Sequence, residues 1–356
     1  MTPAAVRAHF VEQAKGCAAF GSPFTAALLE RCAQDLDDRG PVAALVAAWP
    51  GEPRTDALGL RLAGALHAAA LSGRDPALAT VYPGAKSDWT LDEVWPRARA
   101  FLADQADWVR AVLQSPPQTN EVRRSIGLVP AFLALAAQYD GPMEMLELGA
   151  SAGLNLSWDQ FAYETDSWRW NPGGRPLITT DWSGPPPQTG ARPQVRARSG
   201  CDQNPLSVHD PDDVQRLRSY IWADQADRLQ RFDAAVAVAQ AHDVRVERAD
   251  AALWNLGRLA SRARDAMTVV YHSIFLQYPP AETLADITAA ITAAGATATA
   301  AAPLAWVRFE PASVLEHGAL GSWHTVVDVI TWPGAVRTHL ADVDPHGRSV
   351  RLIAGS

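Results

Sequence analysis

The stretch Met143–Asn155, M-E-M-L-E-L-G-A-S-A-G-L-N, constrains the fold of this chain more than any other. An apolar run of Met143, Met145, Leu146 and Leu148 carries one acid near its end, Glu147, and gives way to Gly149-Ala150-Ser151-Ala152-Gly153. The run predicts a buried parallel strand, the small residues a tight turn, and the apolar restart at Leu154 a helix. Glycines let another molecule approach the backbone closely. A helix start presents free N–H groups and the positive end of its dipole to such a molecule. Glu147 can accept hydrogen bonds from a hydroxyl or an ammonium group. The same residues would also serve a plain strand–turn–helix.

Spacing excludes two phosphate-binding loops. The dinucleotide fingerprint needs G-x-G-x-x-G, and here Ser151 stands where the second glycine would be. No G-x-x-x-x-G-K-[ST] occurs anywhere in the chain. An acid ahead of G-x-x-x-G resembles the first motif of class I S-adenosylmethionine-dependent methyltransferases. The longer string Leu146–Leu156, L-E-L-G-A-S-A-G-L-N-L, is similar to the hallmark of a bacterial domain family of unknown function associated with that fold. The likeness covers most of the chain, including Asn120-Glu121-Val122-Arg123-Arg124-Ser125 and Cys201-Asp202-Gln203-Asn204-Pro205. It implies an α/β chain with a Rossmann-like, seven-stranded, mostly parallel sheet at 141–356, and S-adenosylmethionine as cofactor. It implies cofactor contacts at Glu147, Gly149, Ala150, Ser151, Gly153 and Asn155. The family itself carries no reaction.

Bulk properties narrow the partners. With 356 residues, 48% of them hydrophobic, the chain can bury one large core or two smaller ones. A net charge of −8 argues against a general nucleic-acid or anionic-membrane partner. Cys17, Cys32 and Cys201 are scattered without C-x-x-C spacing, which points to reduced thiols in a cytoplasmic protein and to no metal site. The start of the chain lacks a basic-then-apolar leader, and the Ala/Thr-rich run 288–302 is too weakly apolar to span a membrane. A small-molecule substrate is the remaining expectation; the oligomeric state is left open.

Residues 1–140 read as a helical domain that caps the site. Ser22-Pro23 opens a helix to about Leu36, Pro41–Trp49 is a short one, and Thr55–Leu71 stops at Ser72-Gly73. Thr90 and Glu93 form a capping-box pattern for a helix to about Gln114, and Asn120 is placed to cap a helix over 121–139. Beyond the small-residue turn a helix is expected over 153–164. A Trp/Pro/Gly-rich insertion at 165–195 then suggests a hairpin and a packed flap. Val195–Ser199 reads as a second strand, and Asp202 beyond it stands where doubly wound folds hold a ribose diol, with Asn204 beside it. An Asx-turn explains Asp202 equally. Helices fill Asp210–His242. The third strand, Val244–Arg248, leads to Asp250-Ala251, which resembles the position reading an adenine amino group; Asp250 also suits the N-cap of a helix over 251–263. A fourth strand, Ala266–Tyr271, ends at His272. Glu282–Ala294 reads as a helix with Gly295 at C′. Strands follow at Leu304–Phe309, Thr325–Ile330, Val336–Val343 and Arg348–Ile353.

The order strand, helix, strand repeated through 304–309 is that of class I methyltransferases. The resulting expectation is a methyltransferase acting on a small molecule. His272, at the end of the fourth strand, is the candidate base, with a structural histidine as its plain alternative. Glu121 and Asp159 are the other catalytic candidates, to orient the substrate. Asn120, Arg124 and Tyr278 are candidate substrate contacts. The same fold also supports an elimination or cyclisation, or a non-catalytic nucleoside-binding protein.

Overall fold

The computed structural model describes residues 3–118, 120–315 and 325–353. The chain divides into two compact units, Met1–Thr119 with Asp210–Gln230, and Asn120–His209 with Arg231–Ser356. The first division therefore falls before Asn120 and not at residue 140.

The first unit is helical, with Pro3–Ala19, Pro23–Asp37, Pro41–Val46, Leu58–Ser72, Pro76–Ala79, Leu91–Asp104 and Ala106–Leu113 among its helices. Ser22 accepts from the Thr25 N–H at 3.3 Å, as its position before Pro23 predicts. Gly73, in the left-handed region, closes the helix that ends at Ser72. The helix expected from Thr90 to Gln114 is broken at Gln105, and Thr90 makes no capping bond. Apolar stripes bury Phe10, Phe24, Leu62, Leu66 and Phe101 in one core. The segment Asp210–Gln230 joins this unit because Ala223 enters that core. Asp224 also accepts from the Ser22 hydroxyl at 2.5 Å and the Phe24 N–H at 2.9 Å.

Among the described residues the strands lie in the second unit: β1 (Pro142–Leu148), β2 (Ala162–Glu164), β3 (Arg169–Trp170), β4 (Leu177–Thr179), β5 (Asp181–Ser183), β6 (Gln194–Asp202), β7 (Val246–Arg248), β8 (Met267–Ser273), β9 (Leu304–Pro311), β10 (Thr325–Trp332), β11 (Val336–Val343) and β12 (Ser349–Leu352). The main sheet has nine strands, ordered β5-β12-β11-β10-β9-β8-β1-β6-β7. From β7 to β9 the neighbours are parallel, and β10, β11 and β12 follow as antiparallel hairpins. The expected seven-stranded sheet with one antiparallel member is thus replaced. The connections Pro333–Ala335 and Asp344–Arg348 are too short for a parallel crossover and permit only hairpins. The ninth strand comes from the insertion, which lays β5 parallel to β12 and folds β3-β2-β4 into a small sheet of its own.

Strand order reverses between β1 and β8, the switch point at which open α/β sheets bind ligands at their carboxyl ends. Alternation assigns the faces there. Leu146, Leu148 and Val270 share a core with helices Ala251–Ala260 and Ala281–Ala296. Tyr271 packs against Phe132 of the helix Ser125–Gln138 on the other face, their ring centroids 5.2 Å apart. That helix is apolar almost throughout. A Cβ on its Gly127 would lie 3.1 Å from Phe309 and 3.2 Å from Val343, which ties it to the sheet.

Two local expectations change. The helix expected over 153–164 is a 3-10 helix, Leu154–Gln160, kinked at Ser157 and followed directly by β2. Leu154 through Trp158 are all buried, so no polar face exists for an amphipathic helix, and Asn155, Ser157 and Asp159 are poor helix formers. Gly295 lies inside its helix, which runs to Ala296 with Thr297 as its C-cap; a Cβ on Gly295 would meet the Trp332 ring at 2.6 Å, so close packing and not a C′ turn accounts for the glycine.

Candidate functional site at the carboxyl ends of the parallel strands

The turn after β1 is built from left-handed residues: Gly149 at φ +67°, Ser151 at +55° and Gly153 at +75°. Asp202, ending the neighbouring β6, fastens it. One carboxylate oxygen accepts from the Ser151 N–H at 3.0 Å and the other from the Asn204 N–H at 2.8 Å. Asp202 thus forms the Asx-turn offered as its alternative, and it anchors the turn as well. Asn204 accepts from Arg248 at 2.9 Å. Asp250 caps the helix Ala251–Ala260, accepting from Ala252 and Leu253 at 3.0 and 3.1 Å.

The small residues are crowded by the protein's own side chains. A Cβ on Gly149 would lie 2.4 Å from the Phe275 ring, and one on Gly153 would meet Val244 at 2.8 Å and Val246 at 2.9 Å. Ala150 and Ala251 are buried. Phe275 reaches Gly149 because Ile274, a β-branched residue, adopts φ +52° and turns the chain sharply after β8. With only a seven-residue 3-10 helix beyond the turn, the long helix dipole expected at this place is missing.

On the Tyr271 face, buried polar groups meet. The Tyr271 hydroxyl lies 3.3 Å from Glu147 Oε2 and 3.4 Å from the Asn155 carbonyl. Asn155 Nδ2 donates to the Glu121 carbonyl at 3.4 Å, and the Glu121 carboxylate caps the 3-10 turn Val122–Arg124 through the Arg123 N–H at 3.1 Å. The cap expected from Asn120 is therefore supplied by Glu121. Arg124 donates to the Pro345 carbonyl at 2.8 Å and to the Ser273 carbonyl at 3.5 Å. Burial pushes the Glu147 carboxyl up to about 8; the Tyr271 hydroxyl opposes this and nearby Asp202 adds to it. Glu147 therefore keeps a proton at neutral pH. Burial also raises Tyr271 well above the usual phenol range. Asn155 Oδ1 and Asn120 Nδ2 are buried and, among the described residues, reach no partner. Orphans of this kind cost about 1–3 kcal/mol each, and native structures keep few of them.

Asp159 lies beside this cluster but is held by Arg198 in a two-pronged ion pair of 2.8 and 3.0 Å. Both carboxylate oxygens of Asp159 are thus engaged by one guanidinium. Tyr278 is 73% exposed, and its N–H donates to the Phe275 carbonyl at 3.0 Å.

His272 faces the opposite way, into the core beneath the two helices. Trp306 Nε1–H donates to its Nε2 at 3.1 Å, which puts the ring proton on Nδ1, and Nδ1–H donates to Glu310 Oε1 at 2.6 Å. The same Glu310 oxygen accepts the Phe275 N–H at 2.8 Å. Both His272 and Glu310 are completely buried. His272 has no lone pair left for a substrate proton, so the base role expected of it is corrected to a structural one.

Sequence reasoning passed over Tyr271, Arg198, Phe275 and Glu310. A usable signal existed for two of them, since Tyr271 and Glu310 are polar residues set in otherwise buried strands. Among the described residues no group of three or more His, Cys, Asp or Glu is arranged to hold a metal, and no helix is long and apolar enough to cross a membrane.

A family model described as an uncharacterised protein conserved in bacteria, DUF2332, matches residues 7–351. No curated protein and no solved structure matches the chain.

Proposed function

Because the chain belongs to this uncharacterised bacterial family, its site is the guide to its chemistry, and we propose an S-adenosylmethionine-dependent methyltransferase acting on a small molecule. One observation carries this reading. Glu147, Tyr271, Asn155, Glu121 and Arg124 converge at the switch point of a doubly wound sheet, and Asn120 and Asn155 leave buried polar atoms without partners there.

The residues fit the cofactor with one movement. The Phe275 ring, now against Gly149, has to turn aside before a ligand can reach the turn. Gly149, Ala150, Ser151 and Gly153 would then lie along the ligand, with Asp202 and Asp250 at the ends of their strands to receive its hydroxyl and amino groups. When bound, the cofactor supplies an activated methyl group. Glu147, protonated at neutral pH, and Tyr271 hold a dry, neutral floor beside it. Asn155 Oδ1 offers an acceptor to the nucleoside, and Asn120 Nδ2 a donor to orient the substrate. His272 and Asp159 are already engaged, so the reading assigns catalysis to alignment and water exclusion more than to a strong base.

A second reading, a nucleoside-binding protein without turnover, rests on the engagement of His272, which leaves the site without that base. Equilibrium dialysis with S-adenosylmethionine, followed by product analysis against panels of small nucleophiles, separates the two. Saturable binding with transfer supports the methyltransferase; binding without transfer to any nucleophile supports the second reading; no binding removes both.

A further inference from the structure

We infer that the second unit holds a separate pocket for a small organic carboxylate at the opposite, amino-terminal end of the parallel strands. A cavity of about 150 Å³ lies there, between the β1, β6 and β8 strands and the end of the helix Ala251–Ala260. In register, Glu144 stands opposite Ala197 and Thr268, and Leu146 opposite Ser199, so these side chains share the face covered by that helix. Glu144 precedes Gly149 by five residues, and at about 3.3 Å per residue the cavity lies roughly 16 Å from the turn. The inference is independent of the nucleoside reading.

Two features point to a ligand. Thr268 is 1% exposed, lines the cavity and has a hydroxyl without a partner. A buried hydroxyl in that state is unfavourable unless something in the cavity bonds it. The cavity lining also mixes polar and apolar groups: Ser199 and Thr268 stand beside Leu146 and Ala197 on the sheet, and Arg258, Ser261 and Arg262 come from the end of the covering helix and the residues after it. A space of this size takes a molecule of about six to ten non-hydrogen atoms.

Charge selects the chemical class. Glu144 is held by Arg196 at 2.7 Å, and the same guanidinium also pairs Asp265 at 3.1 Å. Arg258 is held by Glu247 and lies over the Trp254 ring. Arg262 donates to the Ala302 carbonyl at 2.9 Å and, among the described residues, has no carboxylate partner. Among the described residues Arg262 is thus the charged group of the lining without an ion-pair partner, and the planar fork of a guanidinium matches a carboxylate. The hydroxyls of Ser199 and Thr268 add neutral hydrogen-bonding groups to the lining. An inorganic anion would leave Leu146 and Ala197 uncovered, whereas an organic body covers them.

Titration of the full chain with benzoate, followed by calorimetry and ligand-observed NMR, tests this. The expected result is saturable one-site binding that weakens at least tenfold in Arg262→Gln and several-fold in Thr268→Val, with benzyl alcohol at least tenfold weaker than benzoate. Should Arg262→Gln fail to fold, Thr268→Val and the cavity-filling Ser199→Leu decide the matter. No saturable binding, equal binding by the folded variants, or benzyl alcohol binding as tightly as benzoate would overturn the proposal.

Discussion

Tyr271 and His272 are adjacent on one strand, point to opposite faces of the sheet, and end in different kinds of polar cluster. Around His272 each ring nitrogen has one partner, and the bonds run from Trp306 through His272 to Glu310 and on to the Phe275 backbone. Around Tyr271 the bonds are longer, Glu147 carries a raised pKa, and Asn155 and Asn120 keep unpartnered atoms. A histidine at a strand end invites a catalytic assignment, yet both ring nitrogens of His272 are taken, and the one unpartnered atom in its cluster among the described residues is Glu310 Oε2. The Tyr271 cluster leaves two, a donor on Asn120 and an acceptor on Asn155, so it offers another molecule a complementary pair.

The comparison is broken most forcefully at His272. His272→Ala would leave the buried Glu310 carboxylate and the Trp306 N–H without their partner. We expect a loss of about 3–5 kcal/mol in urea unfolding, as for other broken buried pairs, with ligand affinity in the surviving folded fraction unchanged. A stable variant that loses only activity would return His272 to catalysis.

Glu147 gives the next largest effect and a defined pH window. Its carboxyl titrates near 8 in the folded protein, well above its unfolded value near 4.5. The folded state thus binds the extra proton between those values, and stability falls as pH rises through them, at up to about 1.4 kcal/mol per pH unit. Below 4.5 the group has no effect, and above 8 the full cost is present. Glu147→Gln should flatten that slope and melt higher than wild type at pH 8.5, measured by thermal scans across pH 4.5–9. Parallel curves for the two proteins would show that Glu147 is not held protonated.

Asn155→Ala should have the smallest effect on folding, about 1 kcal/mol for its one long hydrogen bond to the Glu121 carbonyl. It should weaken nucleoside binding about tenfold by removing the spare acceptor. Fluorescence-monitored melting and binding on one preparation distinguish this from a purely structural asparagine, which would move only the first.

The strands of the parallel half were legible because mostly apolar runs such as Met267–Tyr271, interrupted only by Thr268, and Leu304–Phe309, interrupted only by Arg308, have one stable use, burial on both faces. The acids Asp202 and Asp250 were also legible, each with its backbone alternative, since Asx-turns and helix caps are local chemistry. The helix expected after the turn failed because Leu154–Trp158 are buried on every side, a tertiary circumstance with no periodic signature. The engagement of His272 and Asp159 was hidden for a similar reason. Their partners, Glu310, Trp306 and Arg198, lie 34 to 39 positions away in sequence. The Phe275 ring on Gly149 depends on a left-handed isoleucine that no propensity predicts.

The central claim, that the switch point binds a nucleoside cofactor once Phe275 moves, is tested most directly by calorimetric titration of S-adenosylhomocysteine into wild type and Phe275→Ala side by side. The account predicts one-site binding to both, tighter by several-fold in Phe275→Ala because no ring has to be displaced from Gly149. Absence of binding to either protein, or weaker binding when the ring is removed, would contradict it.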